Sequence, residues 1–332
     1  MSQISPKKSP VSSTDATQSN ATPRLFSWLY ALWKFSRPHT IIGTSLSVVG
    51  LAVVAIALRN GGLGADAALL SSHWVTIALA WITCLCGNVY IVGLNQLEDV
   101  SIDKVNKPHL PLASGEFSRR EGWVIVAITG GLALLLPLFQ GVFLIATVWS
   151  SLFIGTAYSL PPIRLKRFPF WASLCIFSVR GAIVNLGLFL HFNQRFQGEF
   201  QLPIAVLALT GFILVFTFAI AIFKDIPDLE GDRRYNITTF TIRLGKRAVF
   251  NLSRSVLTVC YLGVILAGAF IPRVHVGFLI VTHVLALGLL WGLSVRVNLQ
   301  DKQAIARFYQ FIWKLFFMEY LIFPLACLLA SG

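Results

Sequence analysis

The chain has 332 residues, 56% hydrophobic and 12% charged, with a mean hydropathy of +0.73. A soluble protein of this length needs more polar surface than that, so the class is polytopic membrane protein, all-α. The apolar runs are long and do not alternate, which excludes a membrane barrel. The net charge of +13 would suit nucleic acid, a reading that the placement of the basic residues removes.

Residues 1–24, rich in Ser, Thr, Pro and Lys, read as a disordered polar tail. They lack the apolar core of a secretory signal. A membrane domain is expected over residues 25–332. Within it, nine apolar segments lie near 39–58, 74–97, 122–138, 142–158, 169–190, 203–223, 248–270, 274–295 and 307–329. Each is long enough to span roughly 30 Å of hydrocarbon. Five cysteines (Cys84, Cys86, Cys175, Cys260, Cys327) fall inside these runs. Their odd count and spacing fit no disulfide framework or zinc site, so they read as packing residues.

Of the 27 Lys and Arg, 21 lie in the tail and in the loops after spans two, four, six and eight. The opposite loops hold only Arg59, Arg195 and Arg273, while Arg180, Arg254 and Lys314 lie within spans. This asymmetry puts the N-terminus on the cytoplasmic, or equivalent stromal, side. The basic charge is thus topological.

The acids are distributed differently. Half of the 14 sit in "NQLEDVSID", 95–103, and "KDIPDLEGD", 224–232. Both stretches follow even-numbered spans and so face the same side, four spans apart, which suggests two similar halves and a ninth helix. Asn95, Asp99 and Asp103 are at i, i+4 and i+8, drifting only ~40° per step along one helix face over ~12 Å. Asp225, Asp228 and Asp232 also share a face, with a kink or restart expected at Pro227. Carboxylates this close repel, and at a membrane boundary they are poorly solvated. An all-oxygen donor set suits a hard cation, above all Mg²⁺, which also bridges to phosphate oxygens. Two facing acidic sets therefore suggest Mg²⁺ ions clamping a diphosphate. Lys104, Lys107 and Lys224 flank the acids, and "AYSLPPIRLKR" adds Tyr158, Arg164, Lys166 and Arg167; such groups suit direct phosphate contacts.

The two acidic stretches resemble the Asp-rich motifs of the UbiA superfamily of intramembrane aromatic prenyltransferases. The likeness runs from about residue 32 to the end, and "DKVNKPHLPLASGE" is its most specific string. With "FSRPHTIIGT", "GTAYSLPPIRLKRFP", "VRGAIVNLGLF" and "FYQFIWKLFFMEYL" it looks closest to the homogentisate prenyltransferases of cyanobacteria and plastids. Glu98 directly before Asp99 is a small departure.

The resemblance implies nine helices around a central cavity. It implies a Mg²⁺-dependent transfer from phytyl diphosphate to homogentisate with decarboxylation, on the way to tocopherol. It makes Asn95, Asp99, Asp103, Asp225, Asp228 and Asp232 the metal set, with Asp99, Asp103, Asp228 and Asp232 carrying the catalysis. Tyr158, Lys166 and Arg167 would cover the diphosphate. Arg37, just before span one, would meet the acceptor's carboxylate. The intramembrane Arg180 and Asn185 are further acceptor candidates, since polar groups inside spans usually face a cavity. Geranylgeranyl and solanesyl donors, and a chlorophyll synthase-like activity, stay open as alternatives. A transporter would be expected to bind at mid-membrane on broken helices, whereas these acids cluster at one face.

Overall fold

The computed structural model describes residues 21–59, 68 and 70–330. Among them, nine helices are long and apolar enough to cross a membrane, in the places the hydropathy of the chain indicates. A helix that crosses nothing, α1 (Ala21–Phe35), precedes them. It begins inside the stretch read as a polar tail; residues 1–20 of that tail lie outside the described residues. Ala31 and Phe35 of α1 pack against Leu94, Leu97 and Phe117. Leu25, Phe26, Trp28, Tyr30 and Trp33 are exposed.

The spans are α2 (Pro38–Ala57), α3 (Trp74–Glu98), α5 (Arg119–Leu135), α6 (Val142–Ser159), α7 (Pro169–Gln197), α8 (Ile204–Phe223), α10 (Lys246–Ala267), α11 (Val276–Ser294) and α12 (Lys302–Ala330). α2 packs against α3, α7 and α12, and α8 against α10 and the middle of α7. α8, apolar on every side, is largely buried, as such a helix must be to sit at the centre of a bundle. α5 starts with a capping box: Glu121 N donates to the Ser118 hydroxyl at 3.2 Å, and Ser118 N to Glu121 at 2.7 Å. All five cysteines are free and at least half-buried.

Two of the three cations on the sparsely charged side have local work. Arg195 donates to the carbonyls of Gln140 (2.8 Å) and Phe139 (3.2 Å), and Arg273 donates to that of Leu58. Each satisfies carbonyls left over at a helix end.

The acid-bearing spans both break and restart. α3 stops at Glu98, Asp99 turns the chain (φ −108°, ψ 16°), and α4 runs Val100–Asn106. This corrects the single continuous helix assumed for Asn95, Asp99 and Asp103. Asp99 N still donates to Asn95 O (3.0 Å) and Asp103 N to Asp99 O (2.7 Å), so helical spacing survives the joint. α8 stops at Phe223, and α9 (Asp225–Arg234) begins after Lys224. Pro227 sits in its first turn, where a missing N–H costs nothing, so the restart expected there is present. α4 and α9 pack on each other. Asn106 joins them, accepting from Gly231 N at 2.9 Å. A Cβ at Gly231 would lie 2.4 Å from that amide oxygen.

α7 is not a uniform α-helix: Ser178–Ile183 widens into a π-turn. Gly181 in this turn lets the backbone of α8 come close, since a Cβ there would lie 2.6 Å from Leu214 Cα. On the far side of α8, His283 Nε2 of α11 lies 3.2 Å from Glu319 Oε2 of α12, both almost fully buried. Lys314 is five residues from Glu319 and badly placed for it; the acid's partner is on the neighbouring span.

Gly181→Ala is expected to lower the thermal midpoint in detergent by about 2–6 °C through overpacking. Gly211→Ala, where an added Cβ meets nothing within 4 Å, is the control and should leave it within about a degree. Equal midpoints for the two variants would contradict the close approach of α7 and α8.

Candidate active site

A cavity of about 920 Å³ opens beside α4 and α9 and runs into the bundle. Its mouth carries Arg37, Asn95, Asp99, Asp103, Lys107, Tyr158, Lys166, Lys224, Asp225, Asp228 and Asp232. Its inner walls are mostly apolar, with Ile91, Val148, Leu152, Ile176, Val184, Leu188 and Ile220. The two acidic sets, more than a hundred residues apart in sequence, therefore share one wall.

Each set is tied to cations. Asp99 accepts from Lys166 Nζ (2.7 Å) and Arg164 Nη2 (3.2 Å). Asp228 pairs with Lys107, and Asp225 with Lys224 at 2.8 Å. Asn95 donates to Asp99 at 3.1 Å and accepts from Arg37 Nη2 at 3.4 Å. Asp232 accepts from Asn106 at 3.4 Å. Asp103 is buried, and its Oδ2 has no hydrogen-bond partner.

Burial dominates the electrostatics. It pushes the Asp103 carboxyl up, against the pull of Arg37 and Lys107. Burial, then the charges of Asp228 and Asp225, push Asp232 up to about 7. Burial also lowers the Lys166 ammonium, and Asp99 opposes it. At Lys224, burial acts against the charge, but Asp225, Tyr158 and Asp228 outweigh it and hold the amine protonated. The mouth is thus short of compensating charge near Asp103 and Asp232.

Four nominated residues are not on the cavity wall. Lys104 and Arg167 are exposed. Arg164 reaches the site only through Asp99. Asn185 is buried inside α7, where its amide donates to the carbonyls of Arg180 (2.9 Å) and Gly181 (2.8 Å). Arg37 stands with the acids at the mouth, bonded to Asn95, and not apart from them. Arg180 lines the cavity, and among the described residues its guanidinium makes no ion pair or hydrogen bond.

Other wall residues carry polar or aromatic groups that the sequence reading leaves out. Asn88 donates to Thr40 at 3.0 Å and accepts from Thr44 at 3.4 Å. His39, Tyr309 and Trp313 also line the space. Asn88 is seven residues before Asn95, two turns up the same face, and that spacing was the available signal. Arg37 (φ 54°) and Arg164 (φ 41°) are left-handed non-glycine residues. Such conformations cost on the order of 1–3 kcal/mol and gather at working sites.

Residues 48–315 match the UbiA prenyltransferase family. The chain belongs to that family. It is 51% identical over 299 residues to the homogentisate phytyltransferase of Synechocystis sp., covering 90% of this chain and 96% of that protein. It is 40% identical over 324 residues to homogentisate phytyltransferase 1, chloroplastic, of Arabidopsis thaliana, over 93% and 79% of the two chains. A UbiA homolog from Archaeoglobus fulgidus, solved bound to GPP and Mg²⁺, superposes with a TM-score of 0.58 at 15% identity, over 89% of this chain and 99% of that one. That likeness shows the fold, and the family together with the nine apolar helices makes the chain an integral membrane protein.

In this UbiA-family site Lys166 lines the cavity and is held by Asp99 at 2.7 Å. Lys166→Met is expected to weaken binding of inorganic pyrophosphate with Mg²⁺ by about tenfold, the loss of one charge-assisted hydrogen bond. Calorimetry on the detergent-solubilised chain checks this. Unchanged affinity would remove Lys166 from the anion site.

Proposed function

We propose that the chain transfers the phytyl group of phytyl diphosphate to homogentisate with loss of carbon dioxide. The product is 2-methyl-6-phytyl-1,4-benzoquinol, a tocopherol precursor. The observation that carries this reading is one cavity with two acid–lysine sets at its mouth and apolar walls behind them. Such a space suits an amphiphile with an anionic head and a long tail. The extensive identity to a homogentisate phytyltransferase supports the choice of donor and acceptor.

The mouth suits Mg²⁺ or a similar hard cation. The donors are carboxylate and amide oxygens, one buried carboxylate oxygen of Asp103 is orphaned, and burial with the charges of Asp228 and Asp225 pushes Asp232 up. Among the described residues, no three of His, Cys, Asp and Glu gather to hold one ion. This suits an ion that takes one or two carboxylates and completes its shell with water and phosphate oxygens. Asn95, Asp99 and Asp103 on one side, and Asp225, Asp228 and Asp232 on the other, are the ligand sets. When bound, Mg²⁺ supplies positive charge to the leaving diphosphate.

The chain's own groups do the rest. Lys107, Lys166 and Lys224, now paired with Asp228, Asp99 and Asp225, turn to the diphosphate oxygens, with Arg37 and Tyr158 beside them. Arg164 keeps hold of Asp99 as Lys166 leaves it. The C–O bond of the donor breaks towards an allylic cation. The apolar walls keep water from that cation, and Tyr309 and Trp313 offer it aromatic faces. The electron-rich hydroquinone ring then attacks it, the attacked ring carbon gives up its proton, and the acetate side chain loses carbon dioxide and takes up a proton to become the methyl group. At about 920 Å³ the cavity is near the upper end for small-molecule sites, so tail and ring fit together. The positive-inside pattern of the loops supports a mouth on the cytoplasmic or stromal face of a cyanobacterial inner or thylakoid membrane, or of a plastid membrane.

Asp99→Asn and Asp228→Asn should each lower kcat/KM for phytyl diphosphate at least a hundredfold, about 2.7 kcal/mol of transition-state stabilisation. Each should keep a thermal midpoint close to wild type. Chelation of divalent metal should stop turnover, and Mg²⁺ should restore it. Near-normal turnover of either variant at saturating Mg²⁺ would sink the assignment. Competing phytyl, geranylgeranyl and solanesyl diphosphates in one assay reads the preferred tail.

A further inference from the structure

Besides Lys34, which pairs with Glu116, and Lys302, which is exposed at the start of α12, the cations that line the cavity divide into two groups. Arg37, Lys107, Lys166 and Lys224 are bonded to Asn95, Asp228, Asp99 and Asp225 at the mouth. Arg180 is not. It lies midway along α7, a membrane-crossing helix, and among the described residues no acid pairs with it. A guanidinium cannot be neutralised by losing a proton. Held without a partner in a water-poor wall, it is costly unless an anion arrives.

Its placement is built. Arg180 sits in the π-turn Ser178–Ile183, a widening that recurs at functional sites. Asn185 spans the widened turn by donating to the carbonyls of Arg180 and Gly181, and its own oxygen accepts from the Tyr320 hydroxyl at 2.9 Å. The guanidinium then lies over the rings of Trp313 (5.5 Å) and Phe316 (5.7 Å). Its Nη1 comes so near Gly43 that a Cβ there would be 2.9 Å away. Three spans thus fix one cation against an aromatic floor, while its donor groups stay free.

We propose that Arg180, and not Arg37, is the specificity-determining cation that takes the carboxylate of the aromatic acceptor, with Trp313 as the platform beneath it. This rests on the acceptor proposed above, an arylacetate. The diphosphate has its cations at the mouth, so the anion left for Arg180 is the acceptor's. A planar guanidinium suits a carboxylate through two parallel hydrogen bonds. The acceptor ring is then held inward of the diphosphate, on the apolar side of the breaking C–O bond. Asn185 and Tyr320 act through Arg180 as positioning residues.

The test uses the full chain in detergent with Mg²⁺ and phytyl diphosphate. The acceptors are homogentisate and 2-methylhydroquinone, which lacks the carboxylate. Arg180→Met should raise the homogentisate KM by about thirtyfold or more, as loss of a buried charge partner does. The phytyl diphosphate KM should move far less, and the preference for homogentisate over 2-methylhydroquinone should fall by a similar factor. Arg180→Lys should recover part of that preference. The inference is overturned if the donor KM rises instead, if both acceptors lose equally, or if the preference survives. A wild-type chain that prenylates neither acceptor defeats the function proposed above and this subsite with it. Activity of the wild type with an unchanged Arg180→Met defeats the subsite alone.

Discussion

A carboxylate at the end of a membrane span cannot stand alone, and the architecture of the mouth follows from that. Asp99 and Asp228 each need a cation, and the cations come from distant segments: Lys166 and Arg164 from the loop after α6, Lys107 from the end of α4. Satisfying the charges therefore fastens that loop, α4 and α9 to one another. Asn106, bridging to Gly231 and Asp232, sets the distance between the two short helices. Asp103 and Asp232 are left under-compensated, so the mouth is assembled and still short of positive charge.

The two ends of the cavity make opposite demands on solvent. At the mouth, charged groups must exchange partners, which needs mobility and some water. Further in, apolar and aromatic walls must keep water from a carbocation. The proposed reaction also removes charge from the organic molecule, since the donor loses its diphosphate and the acceptor its carboxylate. The product is an uncharged quinol with a long tail, soluble in lipid, while pyrophosphate is an anion bound to water and carbon dioxide passes freely through both. The charged mouth suits the exit of the anion to water, while the quinol suits the bilayer.

The spans were legible because twenty apolar residues have few other places to go. Both acid sets were legible because seven acids in two short stretches are anomalous in so apolar a chain. The break at Asp99 was not: "LEDVSID" contains no Pro or Gly, and the helical spacing runs straight through the joint. The π-turn at Arg180 was hidden for a related reason, since one extra residue in a span leaves an all-apolar pattern unchanged. The partner of Glu319, His283, is on the neighbouring span, where no spacing along the helix of Glu319 could point to it. Arg37 was read as an acceptor group from its place before the first span. Its Asn95 contact, 58 residues away in sequence, could only come from the packing. Pattern reveals which residues a membrane tolerates, but not which of them meet.

The helix that crosses nothing has the widest consequence. Tyr30 and Lys34 of α1 belong to the cavity wall, while Phe26, Trp28 and Trp33 of the same helix lie exposed, where aromatic side chains suit a headgroup layer. Part of the rim of the reaction vessel is therefore built by a segment that hydropathy alone would discard. A boundary drawn where the first span begins would leave the floor and walls intact and remove part of the lip.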